Sequence, residues 1–230
     1  MESKNLITVN GRAGLRVLPD TTFIDLSIRE CYQTNEEASQ TAAANHEKLG
    51  KVLEDCGLDK SLLKTTQFSI SKSTQPVYKD DNFTGLYEWD GRYELSQYFQ
   101  IEIGVDAELL TRVIHGMGQQ LRGTEVNISF AVMDTRSYQS RLLENAVKDA
   151  TEKAQIIAGA ANCTLGQVAS IEYQSAKVNL LSECRNLLPH GQLDESVVCC
   201  EFESDLLDFS PKYFEVHEDV TVQWYLMENN

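Results

Sequence analysis

Hydrophobic and polar positions alternate with period two over residues 22–32. Thr22, Ile24, Leu26 and Ile28 fall on one side, and Phe23, Asp25, Ser27 and Arg29 on the other, as in a half-buried strand. Residues 5–14 read as a preceding strand, with Pro19-Asp20 marking the turn between the two. Gly11 and Gly14 inside that first strand predict a bulge or the close approach of another backbone. At Thr34 the period changes. Thr34 and Glu37 form a capping-box pattern, Ala38, Ala42, Asn45, Leu49, Val52 and Leu53 follow at helical spacing, and Gly57 supplies the stop.

Residues 64–78 return to strand, with Thr66, Phe68 and Ile70 on one face. The polar stretch 79–91 carries two glycines and reads as a hairpin loop. A long strand follows over 93–105, with Leu95, Gln97, Phe99, Ile101 and Ile103 on one face. Leu109, Leu110, Val113, Ile114 and Met117 make a narrow stripe on a helix over 106–118, and Val126, Ile128, Phe130 and Val132 alternate as a strand. From Ser137 to Ala161 the helical stripe is mostly alanine, which lets that helix lie close against a sheet. Residues 165–173 and 216–227 complete the strands. The order β-β-α-β-β-α-β-α-β-β predicts an α+β fold, with a mixed, largely antiparallel sheet and helices packed on one face. The reading is one domain over 1–230, with 1–104 and 105–230 as candidate halves and 177–211 as an acidic insertion.

With 230 residues, 42% of them hydrophobic, the chain is long enough for a sizeable core. Thirty-five acidic against 20 basic residues give a formal charge of -15, which repels phosphate backbones and anionic membrane surfaces. Neither nucleic acid nor membrane is therefore expected as a partner. No apolar run reaches the ~18 residues of a membrane span, and no secretory signal opens the chain. If Met1 is the native start, a cytoplasmic location is expected.

The search for chemistry finds no phosphate-binding glycine loop, no nucleophile elbow and no zinc-protease motif. His46, His115, His190 and His217 sit in separate elements and read as surface or boundary residues. Cys31, Cys56 and Cys163 read as small buried hydrophobes. Cys184, His190, Cys199 and Cys200 share the insertion and are of zinc-ligating type. Adjacent Cys199 and Cys200 lack the usual two-to-four-residue ligand spacing, so reduced cysteines in a loop are the default and no cofactor is expected. Tyr87 and Trp89, joined by Leu206, Leu207 and Phe209 of the insertion, are candidate interface anchors. Tyr93 and Tyr98 fit that role or ordinary hairpin packing.

Four segments together resemble the SIMPL family, a domain of unknown function that includes bacterial periplasmic immunogenic and oxidative-stress-defence-like proteins. They are Ile7-Thr-Val-Asn-Gly-Arg-Ala-Gly with Val17-Leu-Pro-Asp-Thr-Thr, Lys64-Thr-Thr-Gln-Phe-Ser-Ile, Tyr93-Glu-Leu-Ser-Gln-Tyr-Phe-Gln-Ile, and Ala146-Val-Lys-Asp-Ala-Thr-Glu-Lys-Ala-Gln-Ile-Ile-Ala running on to Leu165-Gly-Gln-Val. The resemblance covers 5–176 and 212–228. It implies an α+β fold and large homo-oligomers, some ring-like. Bacterial relatives are linked to stress defence and the mammalian namesake to binding a kinase. The family supplies no agreed catalytic residues. Two departures are the missing export signal and the longer acidic insertion. The expected function is a non-enzymatic, homo-oligomeric assembly or binding module, its partner a second copy or another protein. The alternatives are an enzyme with a site between subunits and a metal or thiol sensor acting through the insertion.

Overall fold

The computed structural model describes residues 5–79, 82–121, 123–173, 181–184 and 211–228. The elements run β1 (Leu6–Val17), β2 (Thr21–Tyr32), α1 (Asn35–Asp55), a 3-10 turn (Lys60–Leu62), β3 (Leu63–Lys79), β4 (Asn82–Gly104), α2 (Ala107–Gln120), β5 (Glu125–Ala131), α3 (Thr135–Ala160), β6 (Cys163–Tyr173), β7 (Leu181–Cys184) and β8 (Phe214–Glu228). The class is α+β, as expected. The strands, read from the sequence as one sheet, fall instead in two, ordered β1-β8-β6 and β3-β4-β2-β5-β7, and the pairings of β1, β2, β3, β4, β5, β6 and β8 given by their registers are antiparallel. The reason is long-range pairing that periodicity cannot show: β1 meets β8, Leu6 opposite Tyr225. The described chain forms two compact units, one from residues within 5–19, 132–173 and 211–228, the other built mainly of Asp20–Ala131. A division into halves at residue 104 does not coincide with them.

The first unit lays α3 on its three-stranded sheet. Ile7, Val9, Ala13 and Val17 from β1 and Val216, Val220, Val222 and Trp224 from β8 face Leu142, Ala146, Ala150 and Ala154. The alanines recur every four residues and so form one seam along the helix. Gly11 lies in that seam. A Cβ built on it would stand 2.0 Å from the Ala146 carbonyl oxygen and 2.7 Å from Ala150 Cβ. The expected close approach is therefore present, between strand and helix backbones, and the β1–β8 register runs without a bulge. Asp134 caps α3, its Oδ1 accepting from Ser137 N at 3.2 Å.

The second unit packs α1 and α2 on one face of its sheet. Ile24, Leu26 and Ile28, with Phe99, Ile101, Ile103 and Ile128, meet Leu49, Leu53, Leu110, Val113 and Met117. The predicted N-cap residue and glycine stop of α1 are both in place. Thr34 Oγ1 accepts from Glu37 N at 3.1 Å, and Gly57 takes φ of 82° just past the end of α1. Cys56 is half-buried, and burial pushes its thiol up from its ordinary value, with nearby Arg112 opposing. Cys163 is also half-buried, but Cys31 is exposed, which corrects the expectation of a buried thiol there. It lies opposite Glu94, beyond the end of the β2–β5 pairing at Ser27.

Candidate functional site: an aromatic β-arm

The stretch 79–91, expected to be a loop, is mostly strand. β3 continues to Lys79 and β4 begins at Asn82. Its β-prone residues Phe83, Tyr87 and Trp89 sustain pairing, and the glycines that suggested a loop serve another purpose. Gly85 and Gly91 have φ of 79° and 88°, the left-handed region that other residues enter at a cost. They mark the places where β4 carries extra residues relative to β3, between Phe83 and Tyr87 and between Trp89 and Tyr93.

The β2–β4 pairing ends at Tyr32 opposite Tyr93, whereas β3 and β4 go on pairing from Thr74–Trp89 to Lys79–Asn82. At ~3.3 Å per residue this two-stranded arm runs roughly 20 Å past the end of β2. Such a ribbon, without a third strand, is marginal in water unless its side chains pack on something. Those side chains are large. Tyr78, Phe83, Leu86, Tyr87 and Trp89 are 49–65% exposed.

The rings fall in two contacting groups, Tyr78–Phe83–Tyr87 and Trp89–Tyr93. Tyr78 and Phe83 have centroids 5.9 Å apart, Phe83 and Tyr87 5.6 Å, and Trp89 and Tyr93 5.9 Å, the last two pairs edge to face. Tyr87 and Trp89 are two residues apart in unbroken register, so they share a face. Lys72 Nζ stands 4.9 Å over the Trp89 ring, and Trp89 Nε1 donates to the Arg92 carbonyl at 2.8 Å. The indole is thus fixed, with Lys72 over one face, and stays half-exposed.

A polar latch holds the root of the arm. Ser73 Oγ donates to Asp90 Oδ2 at 2.8 Å, Arg92 N to Asp90 Oδ1 at 2.9 Å, and Arg92 Nη2 to Asp90 Oδ2 at 2.8 Å. Burial works against charge on Asp90, but the hydrogen bonds from Ser73 and Arg92 outweigh it and hold the carboxyl below its ordinary value. The same contact raises the Arg92 guanidinium above its own. Nearby, burial and then a hydrogen bond to Glu30 push the Tyr32 phenol up to about 12.

Of the sequence candidates, Tyr87 and Trp89 lie together on the arm, and Tyr93 joins them through Trp89. Tyr98 belongs elsewhere, its hydroxyl accepting from Arg29 Nε at 2.9 Å. Tyr78, Phe83 and Leu86 were missed, although Phe83, Tyr87 and Trp89 at alternate β4 positions were the signal. Leu206, Leu207, Phe209, His190, Cys199 and Cys200 lie outside the described residues, and Cys184 ends β7. Among the described residues no group of three or more His, Cys, Asp or Glu is placed to hold a metal ion. His46 packs against Phe99, His115 Nε2 bonds Gln119, and His217 lies over Gly14.

Two depressions lined by described residues mix polar and apolar groups, Leu26, Phe99 and Val126 contributing to one and Ile171, Tyr173 and Val220 to the other. One of ≈ 290 Å³ in the second unit is lined by Asp25, Ser27, Tyr98, Glu125 and Asn127 among others. One of ≈ 960 Å³ in the first unit is lined by Asn10, Glu172, His217, Asp219 and Thr221 among others.

Three of the described sheet edges, β1, β3 and β6, carry features that blunt strand addition. Along β1, Arg12 N donates to Asp149 Oδ2 at 2.8 Å and Lys153 Nζ to the Asn10 carbonyl at 3.4 Å, so side chains of α3 occupy the free edge. β3 carries Pro76 and three register shifts, and β6 carries two. Such devices disfavour edge pairing.

No helix among the described residues is long and apolar enough to cross a membrane. The comparison with curated proteins finds no match. The family model SIMPL, a protein of unknown function (DUF541), matches residues 7–223. With the α+β architecture described above and a match over nearly the whole chain, this protein belongs to the SIMPL family.

Proposed function

We propose that this chain is a non-catalytic assembly module, and that the β3–β4 arm is its contact surface. The observation that carries the reading is the one-sided row of Tyr78, Phe83, Tyr87 and Trp89 on a ribbon flanked by no other described strand. Aromatic side chains bury ~150–250 Å² each. Half-exposed, these four leave on the order of 400 Å² of ring surface in one place, comparable to the largest patch of a typical monomer and often functional at that size. Trp and Tyr are also the residues most often found as interface anchors.

Native mass spectrometry of the reduced protein tests this, beside a variant carrying Phe83→Ser, Tyr87→Ser and Trp89→Ser. The wild type is expected above monomer mass, and the variant closer to monomer with an unchanged circular dichroism spectrum. An unchanged mass distribution in the variant removes the arm from the account. A wild-type monomer at tens of micromolar removes assembly.

A further inference from the structure

One acid interrupts the apolar side of β8. Val216, Val220, Val222 and Trp224 face α3, and Glu218 shares their side of the strand. Glu218 is 3% exposed, yet it makes no hydrogen bond or ion pair among the described residues. Its neighbour Asp219, on the other face, is held by Arg12 Nε at 3.0 Å. Taking a carboxylate out of water without a partner is costly. The unpartnered side-chain atoms that are fully enclosed among the described residues are Thr22 Oγ1, Thr124 Oγ1 and Asn127 Oδ1. The Glu218 oxygens are not sealed in that way, and Glu218 lines the ≈ 960 Å³ depression of the first unit.

The register of β6 with β8 sets Ile171 opposite Val222 and Tyr173 opposite Val220. Ile171, Tyr173, Val220 and Glu218 therefore lie on one side of the sheet. Ile171 is 55% exposed and Tyr173 39%, so an apolar and aromatic wall stands open beside the acid. Glu172 adds a second carboxylate, and no Lys or Arg is among the described residues that line the depression. We infer that this depression binds a small organic amine, its ammonium group on Glu218 and its apolar body against Ile171 and Tyr173. The ammonium supplies the partner that Glu218 lacks, and the Tyr173 ring accepts a cation or a hydrocarbon edge. The volume lies within the ~300–1,000 Å³ of small-molecule sites. A bare metal ion fits less well, because among the described residues no group of three or more His, Cys, Asp or Glu is placed to hold one. The site lies in the first unit and does not depend on the arm.

A net charge of -15 draws any cation toward the protein, so the test must separate a site from general attraction. The full chain is titrated calorimetrically with phenethylamine, with phenylpropionate, which has a similar body and the opposite charge, and with magnesium ions. Each titration is run at about 0.1 and about 0.5 M salt. Saturable binding of one phenethylamine is expected, and it should largely survive the added salt, because buried charges are screened less than exposed ones. Glu218→Gln keeps the shape and removes the charge, and it should weaken the amine at least about 30-fold. Glu47→Gln, an exposed loss of the same charge on α1, should bind as wild type does. Without ligand, Glu218→Gln should unfold at the same temperature as wild type or higher, since it removes a buried charge that has no partner. A lower midpoint would give Glu218 a structural partner and overturn the inference. So would equal amine binding by Glu218→Gln, equal binding of phenylpropionate or magnesium, or no saturable binding of the amine.

Discussion

Asn45 and Gln97 are hydrogen-bonded to each other inside the core of the second unit. Asn45 Nδ2 donates to Gln97 Oε1 at 3.1 Å, and Gln97 Nε2 donates to the Ala42 carbonyl at 3.1 Å. Both residues are buried. The pair fixes α1 against β4 at one position, because sliding either element leaves an amide without partners. Asn45→Ala should cost about 1–3 kcal/mol, since it strands the Gln97 oxygen in an apolar setting. The double replacement Asn45→Leu with Gln97→Met should recover much of that loss. Urea unfolding of the three variants checks the order, and a double variant less stable than Asn45→Ala would contradict it.

The contact of Gly11 with α3 predicts an asymmetry between two glycines of one strand. Gly11→Ala drives a methyl into the Ala146 carbonyl, which is backbone and cannot yield, so a loss of about 1–3 kcal/mol or more is expected. Gly14→Ala meets chiefly the His217 ring, which can turn aside. Its midpoint on thermal unfolding should fall much less than that of Gly11→Ala.

Asp90 makes the arm's root sensitive to acid. Its folded pKa lies below the ordinary value, so its contribution is present above the unfolded carboxylate pKa of ~3.9 and is lost as pH falls through the folded one. Asp90→Asn should therefore be less stable than wild type at pH 7, and the difference should close below about pH 4. Hydrogen exchange of the amides in 74–92, followed against pH in both proteins, reads this locally. A difference that stays constant down to pH 3 would count against the latch.

Asp149 and Lys153 pair with each other at 2.6 Å as well as reaching β1. Asp149→Ala should uncover the Arg12 amide and speed aggregation, measured by light scattering at 37 °C. Lys148→Ala breaks a comparable exposed pair, with Glu144 at 2.7 Å, that touches no strand edge. It should aggregate like wild type. Equal rates for the two variants would mean that the charges, and not the edge, matter.

Period and punctuation were enough to place every helix and most strands, because each has one buried face: Ile24, Leu26 and Ile28 show it in β2, Ala146, Ala150 and Ala154 in α3. The arm escaped because neither of its faces is buried. Without a core side its alternation looks like polar sequence interrupted by glycine, and only Tyr87 and Trp89 stood out, as bulky residues in a polar setting. The division into two sheets escaped for a different reason. Which strands pair is decided by contacts across nearly the whole chain, and a local window sees none of them. The edge devices likewise need Asp149 and Asn10 to be neighbours in space before they mean anything.

The pairing of β1 with β8 also sets a schedule for synthesis. The first strand leaves the ribosome roughly 200 residues before its partner, a delay on the order of 10–40 s at ~5–20 residues per second. During that time Ile7, Val9 and Val17 have no sheet to join, while the contiguous stretch Asp20–Ala131 holds most of what its own unit requires. The nascent chain must carry β1 as an unpaired apolar strand until β8 is made. A ribosome stalled before β8 would display a folded middle and an apolar strand without its partner.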